Sequence, residues 1–228
     1  IIPNRTWIAT AHAVHLLGAK AVLIDVEKDR PIIDATLIEE KITSKTRAII
    51  PVHMNGRSCD MRAIKLIAKK HNLKVIYDAA HALGSTFNGS SIFDYGDVSA
   101  TSLHGTKLLN TAEGGACVAN SEDVYQKLKR IRFFGHDDNK EIAEDGCNGK
   151  MSEIHAALGV ANMKYFDEVL ADRKVKYQIY KDVLSSSTEL EFQSVIFGET
   201  NYSYFPVILE NEETLLKVEQ HLKEASIF

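Results

Sequence analysis

The sequence predicts an α/β fold, because short apolar runs alternate with amphipathic, helix-like stretches. The apolar runs are rich in β-branched residues and lie at 21–26, 48–52, 74–80, 97–103 and 115–120. Strands that are apolar along their whole length are typical of a mostly parallel sheet with helices on both faces. We therefore expect a mixed, mostly parallel sheet flanked by helices.

The intervening helices carry their own sequence signals. In MRAIKLIAKKHN, we expect Ile64, Leu66 and Ile67 to share one helix face. Ser121 is a favourable N-cap residue for the helix predicted in SEDVYQKLKRIRFF. A longer helical pattern begins at Ser152 and continues to about Leu184. This pattern predicts one long helix that bridges two units.

The predicted domain organisation follows from that helix. Residues 1–167 are expected to form a large domain, and residues 168–228 the linking helix with part of a smaller α+β unit, in which NYSYFPVIL is a strand and ENEETLLKVEQHL a helix. The chain begins at Ile1 rather than at a methionine, and it stops at Phe228 directly after an amphipathic segment. We therefore expect a piece of a longer protein, shortened at both ends.

Composition restricts the classes of partner. The chain has 228 residues and a formal net charge of −4, and its Lys and Arg residues are scattered. That pattern argues against a nucleic-acid or anionic-membrane surface. The three cysteines form no metal-binding or disulfide pattern, and no signal peptide or membrane span is evident. We expect a cytoplasmic protein without a metal site, whose partner is a small molecule or another subunit.

Two reactive side chains are expected at the carboxyl ends of neighbouring strands. Asp78 lies near the end of KVIYDAAHALGS, and Lys107 lies in TSLHGTKLLNTAEGGAC. Functional groups collect at such strand ends in α/β sheets. A lysine that forms a Schiff base and an acid that holds a protonated pyridine nitrogen are the two groups that pyridoxal 5'-phosphate (PLP) requires. Either residue alone is more simply explained, Asp78 as a helix cap and Lys107 as a solvated loop residue.

The same segments resemble the two signature segments of the DegT/StrS family of sugar aminotransferases. PNRTWIATAHAVHLLGAKAVLIDVE, ITSKTRAIIPVHMNGRSCDM and GCNGKMSEIHAALGVANMKYFDEVLADRK are also similar to family segments, in the same order. The resemblance covers nearly the whole chain. It implies the type I fold of PLP-dependent transferases.

The resemblance implies specific roles. Lys107 would bind PLP covalently, Asp78 would pair with its ring nitrogen, and His81 would contact the side of the ring that carries the hydroxyl. Trp7 would stack on the ring, and Ser102 would bind the phosphate. The resemblance also implies that Asn148 serves the phosphate of the neighbouring subunit, in a homodimer with shared active sites. Each of the last four residues also has an ordinary structural explanation, as a core, turn or strand-end residue.

The implied reaction is the transfer of an amino group from glutamate to a nucleotide-linked keto-6-deoxy sugar. The branch that acts on the dTDP-linked 4-keto sugar is the most similar, and the 3-keto sugar enzymes are close neighbours. A Ser-Gly-Thr phosphate-binding motif would normally precede Ile1, and its absence is expected to weaken cofactor binding by this piece. A PLP-dependent sugar dehydratase would have histidine at position 107, and a Rossmann enzyme would carry a GxGxxG motif. A non-catalytic regulator of the same fold stays open as an alternative.

Overall fold

The computed structural model describes residues 1–227. Its strands are β1 (Ile2–Pro3), β2 (Leu23–Ile24), β3 (Ala48–Ile49), β4 (Lys74–Asp78), β5 (Thr86–Phe87), β6 (Ser90–Ser91), β7 (Val98–Ser102), β8 (Gly115–Ala119), β9 (Glu191–Phe192) and β10 (Val207–Ile208). Its α-helices are α1 (Ile8–Leu16), α2 (Met61–Lys70), α3 (Glu122–Ile131), α4 (Glu153–Met163), α5 (Phe166–Leu184) and α6 (Glu212–Glu224).

A four-stranded sheet forms the centre of the fold, in the order β3-β4-β7-β8. β3, β4 and β7 are parallel, whereas β8 is antiparallel to β7. The predicted mixed, mostly parallel sheet is therefore confirmed. Four of the five predicted runs form this sheet, and the run at 21–26 instead contributes β2, which pairs with β1.

The sheet topology determines which residues meet at its edge. β4 ends at Asp78 and β7 ends at Ser102, and Asp78 is paired with Ala100 in the register between them. Because β4 and β7 run in the same direction, their carboxyl ends lie at the same edge. The chain that leaves β7 passes through Lys107 before it returns as β8.

Helix α2 packs its apolar stripe against this sheet. Its N-cap residue Asp60 accepts hydrogen bonds from two backbone amides of the first turn, and Met61, Ile64 and Ala68 are buried. The expectation that Leu66 shares the face of Ile64 is wrong, because Leu66 is 70% exposed. Two helical positions rotate the side chain by about 200°, so Leu66 points away from the core.

The start signals of two helices are confirmed. The Ser121 hydroxyl accepts a hydrogen bond from the Val124 amide at the start of α3. In the same way, the Ser152 hydroxyl accepts from the His155 amide at the start of α4. Short hydroxyl side chains satisfy amides that have no partner within the first turn of a helix.

The single long helix predicted from Ser152 to about Leu184 is wrong, because it consists of α4 and α5. The two are separated at Tyr165, whose backbone leaves the helical region and whose amide donates to the Asn162 carbonyl over 3.0 Å. A hydrogen bond between residues three apart, instead of four, interrupts the α-helical pattern. The next residue, Phe166, packs its ring against Gly84 in the loop after β4. The break between α4 and α5 therefore lies beside this contact.

The last part of the described chain contains the strand and helix that were expected there. β10 pairs with β9 in an antiparallel arrangement, and α6 follows with Asn211 as its N-cap residue. The domain boundary between residues 167 and 168 stays a prediction. Within residues 1–227, none of the helices combines the length and the apolar character that crossing a bilayer requires.

Candidate active site

A cavity of about 1050 Å³ opens at the carboxyl ends of β4 and β7, beside helix α1. It is lined by five of the predicted site residues, namely Trp7, Asp78, His81, Ser102 and Lys107. Residues from three separate segments of the sequence therefore meet at one place. Their meeting follows from the parallel pairing of β4 with β7.

Asp78 is held in the cavity by two hydrogen bonds. Its Oδ2 accepts from the Thr10 hydroxyl over 2.7 Å, and its Oδ1 accepts from the Ala80 amide over 3.2 Å. The Thr10 hydroxyl is also 2.8 Å from that of Thr6. An ionised carboxylate has about four acceptor positions, so Asp78 retains capacity for a further donor in the cavity.

His81 lies on the loop that follows β4. Burial lowers the pKa of His81, and the positive charge of Lys107 acts in the same direction, whereas Asp78 opposes the shift. Its Nδ1 accepts a hydrogen bond from the Asn55 amide over 3.3 Å. His81 is therefore neutral near pH 7, with its proton on Nε2.

Lys107 lies in a turn after β7, and its amide donates to the His104 carbonyl over 2.9 Å. Its side chain is partly buried, and its Nζ donates to the Tyr204 hydroxyl over 3.3 Å. No ion pair engages Lys107 within residues 1–227. A lysine amine in such a place is able to act as a nucleophile or as a proton carrier.

Ser102 and Trp7 line other parts of the cavity. The Ser102 hydroxyl accepts a hydrogen bond from the His104 amide over 3.2 Å, and its own proton is free to be donated. Trp7 precedes helix α1 and is 75% exposed. Its indole is therefore a surface at the cavity rather than part of the core, although its predicted stacking role stays a prediction.

Asn148 is the predicted site residue that does not line this cavity. It is exposed, and its backbone pairs with that of Phe133. The preceding Gly146 lies so close to Gly135 that an added Cβ would collide with the Gly135 backbone. The glycine two residues before Asn148 is thus explained by a close approach of two backbones, and the predicted contact of Asn148 with a neighbouring subunit stays a prediction.

The glycine pair at the start of β8 also has a packing role. A Cβ on Gly114 would collide with the Thr111 hydroxyl, and Gly114 lines the cavity. A Cβ on Gly115 would lie 3.0 Å from the Thr101 carbonyl oxygen in the adjacent strand. The chain therefore passes close to its neighbours at the start of β8, which explains why glycine occupies both positions.

Two residues in contact with the predicted site were missed from the sequence. Thr10 follows Trp7 by one helical turn, and that spacing was the available signal that both face the cavity. Tyr204 is separated from Lys107 by 97 positions, so no local pattern indicates their contact. Residues 1–227 contain no group of three or more acidic, histidine or cysteine side chains with the arrangement of a metal site.

A lysine and a carboxylate in one cavity of this α/β fold are the arrangement expected of a PLP-dependent enzyme. Comparison with known proteins leads to the same class. The model of the DegT/DnrJ/EryC1/StrS aminotransferase family matches residues 1–228, and the chain belongs to that family. The dinucleotide-binding alternative is thereby excluded. The family resemblance inferred from the sequence is confirmed.

One curated relative shows how similar this chain is to a characterised family member. The dTDP-4-amino-4,6-dideoxy-D-glucose transaminase of Shigella dysenteriae is 41% identical over 227 residues, which cover 98% of this chain. The chain spans 62% of the length of that relative.

Two solved structures confirm the type I fold of PLP-dependent transferases. DesI, solved in the presence of its TDP-sugar product, superposes with a TM-score of 0.89 at 29% identity over 96% of this chain and 58% of its own. The PLP form of Spr1654 from Streptococcus pneumoniae superposes with a TM-score of 0.90 at 25% identity, over 98% of this chain and 64% of its own.

Proposed function

We propose that the protein is a PLP-dependent aminotransferase that moves an amino group from glutamate to the keto group of a nucleotide-linked keto-6-deoxy sugar. The observation that carries this proposal is the presence of Lys107 and Asp78 in one cavity. Family membership and the 41% identical sugar-nucleotide transaminase support it. The dTDP-linked 4-keto sugar is the proposed acceptor.

The residues of the cavity fit PLP. Asp78 has an acceptor position free for the protonated ring nitrogen, since its two observed donors occupy only part of its capacity. Lys107 supplies the amine, and the Ser102 hydroxyl is a donor for the phosphate. We propose that Trp7 covers one face of the ring and that His81 contacts the side that carries the hydroxyl group.

Bound PLP would supply an electron sink for the carbon that loses its proton during amino transfer. Asp78 would hold the positive charge on the ring nitrogen, because a carboxylate at that atom favours its protonated form. Lys107 would first hold the cofactor and then, once released, carry the proton between carbon atoms. A neutral His81 would avoid adding a second positive charge next to Lys107.

The size of the cavity supports a large acceptor. Pockets for small ligands usually have volumes of about 300–1,000 Å³. The cavity of about 1050 Å³ lies just above that range and is open at its mouth. It therefore has room for PLP together with at least the sugar part of a nucleotide-linked substrate.

A homodimer with shared active sites is part of the proposal. Asn148 is exposed and lies outside the cavity of its own chain, as a residue that serves the neighbouring subunit should. Phe133, whose backbone pairs with that of Asn148, is 45% exposed, and Phe134, whose ring lies 5.6 Å from that of Phe133, is 43% exposed. Exposed apolar residues that lie close together are typical of surfaces that another subunit covers.

The proposed setting is the cytoplasm, where nucleotide-linked amino sugars would be made for cell-surface polysaccharide, such as lipopolysaccharide O-antigen, or for secondary metabolites. The alternative is a non-catalytic protein of the same fold, and the experiment must distinguish it from an aminotransferase. The two differ in whether glutamate changes the state of the bound cofactor.

The test uses the full-length protein loaded with PLP. Glutamate should bleach the visible absorbance band and release 2-oxoglutarate, and dTDP-4-keto-6-deoxyglucose should then restore the band and gain the amino group. The dTDP-linked 3-keto isomer of this sugar serves as the control acceptor, and Lys107→Ala serves as the control enzyme. A band that glutamate leaves unchanged would reject the aminotransferase in favour of a regulator. Equal or better use of the 3-keto isomer would reject the proposed acceptor.

A further inference from the structure

Tyr204 makes direct contact with two residues of the candidate active site. Its hydroxyl accepts the hydrogen bond of 3.3 Å from Lys107 Nζ. Its ring lies against the ring of His81, with 4.7 Å between the centroids and a tilt of 41°. Tyr204 belongs to the segment before β10, far in sequence from both partners.

The segment that carries Tyr204 is anchored to the loop after β4. Asn201 is 2% exposed, and its side-chain amide donates to the carbonyls of His81 and Leu83 over 2.8 Å each. The Asn201 backbone amide donates to the Ser85 hydroxyl over 3.1 Å, and its Oδ1 accepts from the Ser203 amide. Because buried hydrogen bonds of this kind hold the backbone in one arrangement, Tyr204 is presented to the site in a defined position.

Lys107 lies between two spaces in the protein. It lines the large cavity together with Asp78, and it also lines a small crevice of about 10 Å³, which is bounded by Tyr204, Asn201 and Ser203. Tyr204 borders the crevice and not the large cavity. The amine of Lys107 is thus directed to a hydrogen-bond acceptor at the side of the cavity in which the cofactor would lie.

We propose that Tyr204 is a positioning residue that holds the amine of Lys107 whenever this amine is not covalently bonded to the cofactor. The inference rests on the proposed function, in which Lys107 is released and then carries a proton. A free lysine side chain has several rotatable bonds, and a fixed acceptor reduces the number of orientations it explores. The hydroxyl of Tyr204 would keep the amine within reach of the cavity, so that proton transfer and renewed attachment proceed from an aligned geometry.

The test compares Tyr204→Phe with Tyr202→Phe in the full-length protein. Tyr204→Phe removes the hydroxyl and retains a ring against His81. Tyr202→Phe removes a hydroxyl from the same segment, but its ring packs on Tyr177, away from Lys107. We expect Tyr204→Phe to lower the rate of the glutamate half-reaction at saturation by about 10- to 100-fold, with the KM for glutamate within about 3-fold of wild type.

A second readout does not depend on turnover. The cofactor is removed, PLP is added back, and the growth of the visible band reports how fast Lys107 attacks the added aldehyde. We expect this rate to fall by about 10-fold or more in Tyr204→Phe and to stay at the wild-type value in Tyr202→Phe. Equal rates in wild type and Tyr204→Phe, or an equal loss in both variants, would overturn the role of Tyr204.

The two proposals fail in different ways. If wild-type protein forms no covalent bond between PLP and Lys107, the proposed function is wrong. If wild type forms it and Tyr204→Phe reacts at the same rate, only the role of Tyr204 is wrong.

Discussion

The Thr10 hydroxyl donates a hydrogen bond of 2.7 Å to Asp78 Oδ2 and so links helix α1 to the carboxyl end of β4. Thr10 is 6% exposed, so water is a poor substitute for its hydroxyl. The bond orients the carboxylate that we assign to the ring nitrogen of PLP.

Replacement of Thr10 should therefore weaken cofactor binding. Thr10→Val keeps the shape of the side chain and removes the donor, and hydrogen bonds to charged groups contribute about 1.5–3 kcal/mol. We expect the Kd for PLP to rise by about 10-fold or more, as measured by absorbance titration. Thr10→Ser keeps the hydroxyl and is the control. Equal affinities of Thr10→Val and Thr10→Ser for PLP would show that the hydroxyl does not act through Asp78.

The charge of Asp78 should matter more than its shape. Asp78→Asn keeps the acceptor oxygen for Thr10 but loses the negative charge that stabilises a protonated ring nitrogen. We expect kcat for amino transfer to fall by about 10²- to 10⁴-fold. Asp167→Asn neutralises an exposed carboxylate on α5 and should leave kcat unchanged. If Asp78→Asn retained more than a tenth of the wild-type kcat, the assignment of Asp78 would fail.

The buried His53 should make the protein sensitive to acid. Burial lowers the pKa of His53 to about 3, and its Nδ1 accepts a hydrogen bond of 3.1 Å from the Cys59 amide. Its ring stacks on Tyr77 at 4.7 Å, and its own amide donates to the Asp78 carbonyl. The folded state therefore holds a neutral His53 directly beside the strand end that carries Asp78.

The sign of the pH effect follows from the lowered pKa. Above about pH 6.5 the histidine is neutral in both the folded and unfolded states, so the free energy of unfolding does not change through this group. Below that value the unfolded state gains a proton first, and stability should fall by about 1.4 kcal/mol per pH unit until the pH approaches the folded-state pKa. Urea denaturation between pH 7 and pH 4 measures this slope. His53→Gln should flatten it, whereas His12→Gln, at an exposed position, should not. The same slope in wild type and His53→Gln would rule out His53 as its source.

The Asn201 side chain should be a large local contributor to stability. Asn201→Asp keeps the shape but removes the two N–H donors that serve the carbonyls of His81 and Leu83. Each buried acceptor left without its donor costs about 1–3 kcal/mol, so we expect a loss of about 2–6 kcal/mol in the free energy of unfolding. Asn139→Asp, in an exposed loop, should change it by less than about 0.5 kcal/mol. A loss for Asn201→Asp as small as that of the loop variant would contradict this account.

The central sheet and the meeting of Asp78 with the loop of Lys107 were predictable, because both depend on local patterns. The apolar runs up to residue 120 specify the strands, and parallel strands that end together bring Asp78 near the loop of Lys107. The order of motifs along the chain then indicated the family and added Trp7, His81 and Ser102 to the expected site.

Other features depend on contacts between distant segments and could not be predicted locally. The helical pattern of the sequence continues through Tyr165, yet the helix is interrupted there, next to the contact of Phe166 with Gly84. Tyr204 reaches Lys107 only because Asn201 anchors its segment to the loop after β4. Pairwise contacts of this kind leave no periodicity in the sequence, since neither partner is constrained by its neighbours along the chain.

The most direct test of the central claim is to locate the covalent bond between the protein and PLP. Full-length wild-type protein loaded with PLP should show a visible absorbance band that borohydride abolishes, and peptide mass spectrometry should then find the reduced cofactor on Lys107. Lys107→Ala should show neither the band nor the modified peptide. A reduced adduct on another lysine, or identical spectra for wild type and Lys107→Ala, would contradict the account.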